Sequence, residues 1–353
     1  MKEEVRLLRD MIEIYSPHGR EEEISLYLEE QMNRLGIQAQ RDEVGNVIGH
    51  IGEGEELLML CSHMDTIRGK LRVKIKEGVI HGRGACDAKA SLAAMMLALS
   101  RLSKEEIKGR VLLAAVVDEE GQSIGMRHLL KSGIKARYAV VGEPSGNNRV
   151  VIAYKGSLSL AVRVRGRGGH VAAAPLYENA IEKAIDFFRL LKGGVEVKKQ
   201  SLFYSTNINI LKIHGGRGSR IPDRCEMLVN IRFPPGRVCG EILNEASRCA
   251  SRLEGVDLRV IDCTEAYESN KGSRIALSLL RAVRKIRGET AKFSRKTGTS
   301  DMNLMPSGVE AVSFGPGDPT LEHTDREAID IGEFLEAIDI YEQIVRELIT
   351  LST

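Results

Sequence analysis

The chain has 353 residues, 42% of them hydrophobic and 28% charged, with 51 basic against 49 acidic side chains for a formal charge of +2. These proportions exclude a disordered chain, and the near balance of charge excludes the broad positive field of a dedicated nucleic-acid binder. No run of about 18 apolar residues occurs, and the first fifteen residues carry charge where a signal peptide would be apolar, so a cytoplasmic protein without a membrane span is expected. Cys61, Cys86, Cys225, Cys239, Cys249 and Cys263 show no C-x-x-C spacing and are too sparse for a disulfide framework, so reduced thiols are expected.

In chain order, Val5, Leu8, Met11 and Ile12, then Ile24, Leu26, Leu28, Met32 and Leu35, recur at helical spacing and predict two surface helices broken by Ser16-Pro17-His18-Gly19. Short apolar runs at Leu57 to Cys61, Val111 to Val117, Ala139 to Val141 and Ala311 to Phe314 are too brief for helices and read as buried parallel strands. Between the first two, Ala88 to Leu102 reads as a buried crossover helix, making this part α/β with a mostly parallel sheet. From Lys155 the texture changes to alternation, Leu158, Leu160, Val162 and Val164 against polar or small neighbours, the pattern of an antiparallel strand with one wet face. A helix at Asn179 to Leu191 follows, with strands near Thr206 to Ile213 and Cys225 to Phe233, a helix at Gly240 to Leu253 and a strand at Leu258 to Asp262. The earlier rhythm resumes near Lys271 and ends in a helix from Ile331 to Leu351. The expected organisation is a discontinuous α/β catalytic domain, residues 1–154 and 271–353, interrupted by an α+β domain at 155–270.

Each apolar run leads directly into side chains that bind metals. Leu57 to Cys61 leads to His63 and Asp65, Val111 to Val117 to Glu119 and Glu120, Ala139 to Val141 to Glu143, and Ala311 to Phe314 to a loop reaching His323; Asp87 precedes the crossover helix. Ligand sites of parallel sheets lie beyond the carboxyl ends of the strands, so these groups converge on one rim. His63, Asp87, Glu120, Glu143 and His323 offer two imidazoles and three carboxylates, a set suited to zinc and too large for one ion. A shared carboxylate, best supplied by Asp87, accounts for all five with two ions about 3.5 to 4 Å apart. Asp65, two positions beyond His63, can accept from the ring nitrogen that does not face metal. Glu119 is expected as the general base beside an acidified water. His18, His50, His81, His128 and His214 show no partner pattern and read as surface or turn residues.

Three further features admit more than one reading. Arg281, Arg284, Lys285, Arg287, Lys292, Arg295 and Lys296, opposed only by Glu289, form either a solvated helix face or a docking patch for an acidic partner. His170, within Arg165-Gly166-Arg167-Gly168-Gly169-His170, reads equally as part of a turn or of a phosphate-binding nest. Arg163, Arg165 and Arg167 share one strand face without interleaved aromatics, a weak case for nucleic-acid binding.

The stretches His63-Met64-Asp65-Thr66, Gly82-Arg83-Gly84 with Asp87 and Lys89, Asp118-Glu119-Glu120-Gly121, Gly142-Glu143-Pro144, Gly168-Gly169-His170, Ile221-Pro222 with Arg232, and Gly298-Thr299-Ser300-Asp301 run in the order found in a known family. The chain resembles the aminoacylases and carboxypeptidases with co-catalytic zinc, which include acetylornithine deacetylase and succinyl-diaminopimelate desuccinylase. That resemblance implies two divalent ions, zinc or alternatively cobalt, on the five ligands above, with Glu119 as base and a smaller lid domain that forms a homodimer. It also implies that His170 stabilises the oxyanion in the partner subunit's site and that Arg232 clamps a substrate carboxylate. Ser219-Arg220 stand before Ile221 where relatives often carry an asparagine, so substrate contacts do not transfer at that point. Lys296 to Asn303 and Phe314 to Asp318 look most like the branch that releases lysine or ornithine from the acidic amino-group carrier protein LysW. A free-standing deacylase or dipeptidase is the alternative within the family, and a non-catalytic amino-acid sensor the alternative outside it; retention of Glu119 speaks against the sensor.

Overall fold

Two amphipathic helices open the chain in a computed structural model that describes residues 2–134, 136–216 and 218–350. α1 (Glu3–Glu13) buries Val5, Leu8, Met11 and Ile12, and α2 (Glu22–Arg34) buries Ile24, Leu28 and Met32, because residues three and four apart share one helix face. There follow β1 (Gln38–Arg41), β2 (Val47–Ile51), β3 (Glu53–His63), the short pair β4 (Lys74–Lys76) and β5 (Val79–His81), α3 (Lys89–Leu102), β6 (Lys108–Val116), α4 (Ile124–Lys131), β7 (Tyr138–Val141) and β8 (Arg149–Tyr154). The alternating segments form β9 (Gly156–Arg165), β10 (Gly169–His170), α5 (Ala180–Val195), β11 (Asn207–Gly215), β12 (Arg220–Ile221), β13 (Arg224–Phe233), α6 (Cys239–Ala250), β14 (Val256–Thr264) and β15 (Tyr267–Glu268). The return consists of α7 (Arg274–Arg287), β16 (Lys292–Lys296), β17 (Glu310–Ser313), β18 (Ala328–Asp330) and α8 (Ile331–Thr350). The predicted end of the last helix at Leu351 lies outside the described residues.

The chain divides into two units, Met1–Ile152 with Ser269–Ser294 and Leu304–Thr353, and Ala153–Glu268 with Arg295–Asn303. In the first, the strands lie in the order β1-β2-β6-β3-β7-β17-β8. β3 runs parallel to β6 and β7, and β17 parallel to β7, while β1, β2 and β8 join antiparallel. α3 is buried along almost its whole length, from Lys89 to Leu102, as a crossover helix covered on both sides must be. The Tyr341 hydroxyl of α8 donates to the Phe314 carbonyl at 2.6 Å, and the two rings meet edge to face.

The basic run lies largely in α7, and several of its side chains have partners. Arg281 bonds Glu347 at 3.0 Å, Lys285 bonds Gln343 at 2.8 Å, and Arg287 pairs with Glu336, all three partners on α8. Arg295, in the second unit, pairs with Glu268. Arg281, Arg284 and Lys285 lie on the exposed face of α7 while Ala282 and Val283 are buried, which is the solvated helix face of the two readings, with α8 supplying part of the compensating charge.

The second unit is an antiparallel sheet in the order β11-β13-β9-β14. Leu158, Leu160, Val162 and Val164 of β9 and Cys225, Met227, Val229, Ile231 and Phe233 of β13 pack with Ala184, Phe187 and Leu191 of α5 and Ile242 and Ala246 of α6. The expectation that all cysteines are reduced is corrected here: Cys239, at the start of α6, and Cys263, on β14, form a disulfide. Folding brings together two cysteines 24 positions apart that no short motif links; Cys61, Cys86, Cys225 and Cys249 are buried and form no disulfide.

A cross-link across 24 residues restricts the unfolded chain and is worth about 3 kcal/mol. Cys263→Ser should lower the unfolding free energy by about that amount in denaturant titrations without reductant. An unchanged midpoint would mean that the bridge contributes nothing to stability.

Candidate active site

β6, β3, β7 and β17 are neighbouring parallel strands, so their carboxyl ends share one rim. Three backbone bonds carry the alignment just past the strand ends: Met64 N–H to Val116 O at 2.9 Å, Gly142 N–H to Cys61 O at 2.6 Å and Phe314 N–H to Val141 O at 3.0 Å. On this rim lie His63, Asp65, Glu119, Glu120 and Glu143, with Asp87 just before α3 and His323 in the loop after β17.

Asp87 is the hinge of the cluster. Its Oδ1 lies 3.2 Å from His63 Nε2 and its Oδ2 3.1 Å from His323 Nε2. His323 Nε2 also lies 2.8 Å from Glu120 Oε1. Ligand atoms of His63, Asp87 and Glu143 all fall within 4.8 Å of one another, and so do those of Asp87, Glu120 and His323. The donor set is thus two triads, each with one imidazole and two carboxylates, meeting at Asp87. That composition fits a pair of zinc-like divalent ions, with one Asp87 oxygen facing each triad.

The groups around the triads are held by the backbone. His63 Nδ1 lies 2.9 Å from the Asp65 carbonyl oxygen and 3.5 Å from its carboxylate, so the ring nitrogen facing away from Asp87 donates chiefly to the main chain. This modifies the expected role of the Asp65 side chain. Its two oxygens instead accept the amides of Glu119 and Glu120, at 3.1 and 3.0 Å, which fixes the start of the acidic turn. Asp118 adopts a positive φ of 61°, and its carbonyl accepts from Ser123 N at 2.7 Å while its carboxylate accepts from Gln122 N at 3.0 Å. A Cβ at position 121 would stand 2.1 Å from the Asp118 carboxylate, which explains the glycine. His18, read from sequence as a turn residue, has its Nδ1 3.8 Å from Asp118.

The charges are strongly coupled. Burial opposes ionisation of Asp87, but His323 and His63 on its two oxygens hold it well below the usual carboxylate range. Burial also opposes the His63 cation, yet Asp65 and Asp87 raise its pKa well above the ordinary value. Asp87 and Glu120 raise His323 to about 10. Lys89 is pulled down to about 7 by burial; its Nζ donates to the carbonyls of Met11 and Ile14 at 2.9 and 2.7 Å, closing the end of α1.

His170 and Arg232 belong to the second unit. His170 Nδ1 accepts the amide of Ala172 at 3.1 Å, so the neutral ring carries its proton on Nε2 and presents a donor there. Arg232 donates from Nε to Asn230 Oδ1 at 3.1 Å and from a terminal nitrogen to Thr299 Oγ1 at 3.2 Å; burial lowers its pKa, and Asp262 opposes the shift. Arg232 and the Gly298-Thr299-Ser300-Asp301 stretch, noted separately in the sequence, therefore meet. Sequence reasoning missed Asn230, which lies two residues before Arg232 on the same face of β13, a spacing that could have signalled it.

The model of the family described as Peptidase family M20/M25/M40 matches residues 59–347. A candidate LysW-lysine/LysW-ornithine hydrolase of Pyrococcus abyssi is 35% identical, over 98% of this chain and 94% of its own. The LysW-lysine/LysW-ornithine hydrolase of Sulfurisphaera tokodaii is 33% identical over 97% and 94%. Among solved structures, the M20 family metallo-carboxypeptidase Sso-CP2 of Sulfolobus solfataricus superposes with a TM-score of 0.84 at 18% identity, covering 99% of this chain and 100% of its own.

A divalent ion bound by His323 must displace the proton that the ion-free site retains up to about pH 10. Ion affinity should therefore rise about tenfold per pH unit for each imidazolium displaced, levelling off above the histidine pKa. Zinc added to ion-free protein near neutral pH should release protons into a weakly buffered solution, and a pH-independent affinity would contradict the coupling.

Proposed function

The chain belongs to peptidase family M20/M25/M40 and is a metal-dependent hydrolase of amide bonds; from this premise we propose that it releases lysine or ornithine from the carrier protein LysW in amino-acid biosynthesis. The reading of the site rests on one observation above others: two ligand triads share Asp87, beside a glutamate whose backbone is fixed by Asp65. The substrate is supported by relatives that bear this activity in their names and align with nearly the whole chain.

His63, Asp87 and Glu143 would hold one ion, and Asp87, Glu120 and His323 the other, zinc being the proposed metal and cobalt the substitute. When bound, such a pair supplies positive charge that polarises the amide carbonyl and acidifies a water molecule. Glu119 takes a proton from the attacking water and returns it to the departing amine, so the products are a carboxylate and a free amino acid. Asp65 keeps Glu119 and Glu120 in register through their amides. His170 donates from Nε2 to the oxyanion, across a homodimer built on the second unit, and such a donor typically contributes about 10² to 10³ in rate. Arg232, oriented by Asn230 and Thr299, clamps a substrate carboxylate with its planar fork. The proposed setting is the cytoplasm; no helix among the described residues is long and apolar enough to cross a membrane.

Three measurements test this reading. Lysine and ornithine release from the LysW conjugate should exceed turnover of acetylornithine, acetyllysine, succinyl-diaminopimelate and dipeptides; equal or better turnover of the small substrates would replace the carrier with a free-standing deacylase or dipeptidase. Glu119→Gln should reduce kcat by about 10² to 10⁴ with ion content unchanged, and surviving activity would remove Glu119 as the base. Arg232→Lys keeps the charge but loses the fork, and should raise KM more than it lowers kcat; an unchanged KM would free Arg232 from substrate binding.

A further inference from the structure

Glu327 and Arg83 form a buried ion pair below the ligand cluster, with only 2% and 5% of their surfaces exposed. One Arg83 terminal nitrogen lies 2.9 Å from Glu327 Oε2. The other oxygen of Glu327 accepts two backbone amides, those of Cys86 and Asp87, each at 3.2 Å. Arg83 also donates to the carbonyl of Thr324 at 2.9 Å and, from Nε, to that of Gly69 at 3.1 Å. The main chain adds Gly82 N–H to Glu327 O at 3.2 Å, and Ala328 pairs with His81 in the β18–β5 ladder.

These bonds join two segments 240 residues apart in sequence, one carrying Asp87 and the other His323, four positions before Glu327. Neither Glu327 nor Arg83 reaches into the cluster. Burying two charges costs several kcal/mol per ion, and a well-packed apolar pair of similar volume is often as stable, so fold stability alone does not account for them. Their geometric effect is specific: the carboxylate of Glu327 fixes the amide of the very residue whose side chain faces both imidazoles, while Arg83 fixes the turn that follows His323.

We propose that Glu327 and Arg83 are positioning residues that lock the Asp87 and His323 segments together, so that Asp87 can serve two ions at once. The inference rests on the reading of Asp87 as the shared ligand and adds to it the cause of that ligand's placement. Small displacements matter at such a site, since ligands must be held to within roughly 0.5 Å of a productive arrangement. Loss of outer partners of metal ligands typically weakens ion affinity 10- to 100-fold.

The test is zinc titration of the ion-free full-length chain by calorimetry, with elemental analysis of the loaded protein and a thermal scan of each variant. The wild-type chain should take up two ions. Glu327→Gln, whose amide cannot accept all three bonds, should weaken the second ion about 10- to 100-fold. Glu327→Asp, which keeps the charge, should recover part of that loss. The double variant Arg83→Met with Glu327→Leu removes both charges without stranding either, but leaves the amides of Cys86 and Asp87 without their acceptor; it should stay folded with a lowered melting temperature and still bind the second ion weakly. Two ions bound with wild-type affinity in Glu327→Gln or in the double variant would overturn the positioning role while leaving the two-ion reading intact. Fewer than two ions in the wild-type chain would instead overturn the shared-ligand reading, and this proposal with it.

Discussion

One carboxylate between two imidazoles governs the layout of the first unit. Asp87 directs one oxygen to His63 and the other to His323, and the groups packed around it can share so small a volume only if their charges are balanced. In the ion-free chain protons on the imidazoles supply the balance, which is why both histidines are held so far above their ordinary pKa. Divalent ions can replace those protons because each triad offers one nitrogen and two carboxylates at a strand rim. The parallel sheet serves this arrangement: adjacent strands end side by side, so residues distant in sequence emerge at one edge.

Close packing leaves little freedom behind that edge. The backbone of Glu143 passes so near position 315 that a Cβ there would stand 2.7 Å from its carbonyl oxygen and 2.1 Å from the Ser91 hydroxyl. Around the cluster, polar side chains bind main-chain amides more than one another: Asp65 takes those of Glu119 and Glu120, Asp118 that of Gln122, and Glu327 those of Cys86 and Asp87. Such bonds orient the backbone from which a reactive side chain leaves, and they leave that side chain available for chemistry.

The second unit solves a different problem, presenting polar groups from an antiparallel sheet whose other face is covered by helices. Asn230 and Arg232 project from the face of β13 opposite that core, where Ser157, Ser159 and Thr299 bond them and largely cover them. His170 gains a defined tautomer from a single amide bond in its own turn. The bridge between Cys239 and Cys263 ties the start of α6 to β14, and α6 covers the same core that β9 and β13 line.

Local pattern carried much of this architecture. The spacing of Val5, Leu8, Met11 and Ile12, the brief apolar runs before His63, Glu119 and Glu143, and the alternation from Leu158 to Val164 each reflect a periodicity that backbone geometry imposes within a few residues, so helices, strands and the two kinds of sheet were readable without coordinates. The residue types at the strand ends announced metal chemistry for the same reason. What folding alone decided were the encounters between distant positions: Glu327 with the amides of Cys86 and Asp87, Arg232 with Thr299, α7 with α8, and Cys239 with Cys263. None of these leaves a periodic trace, because a hydrogen bond or a disulfide across tens or hundreds of residues depends on how whole elements pack, and the apolar stripes that drive packing do not specify which polar neighbours will meet.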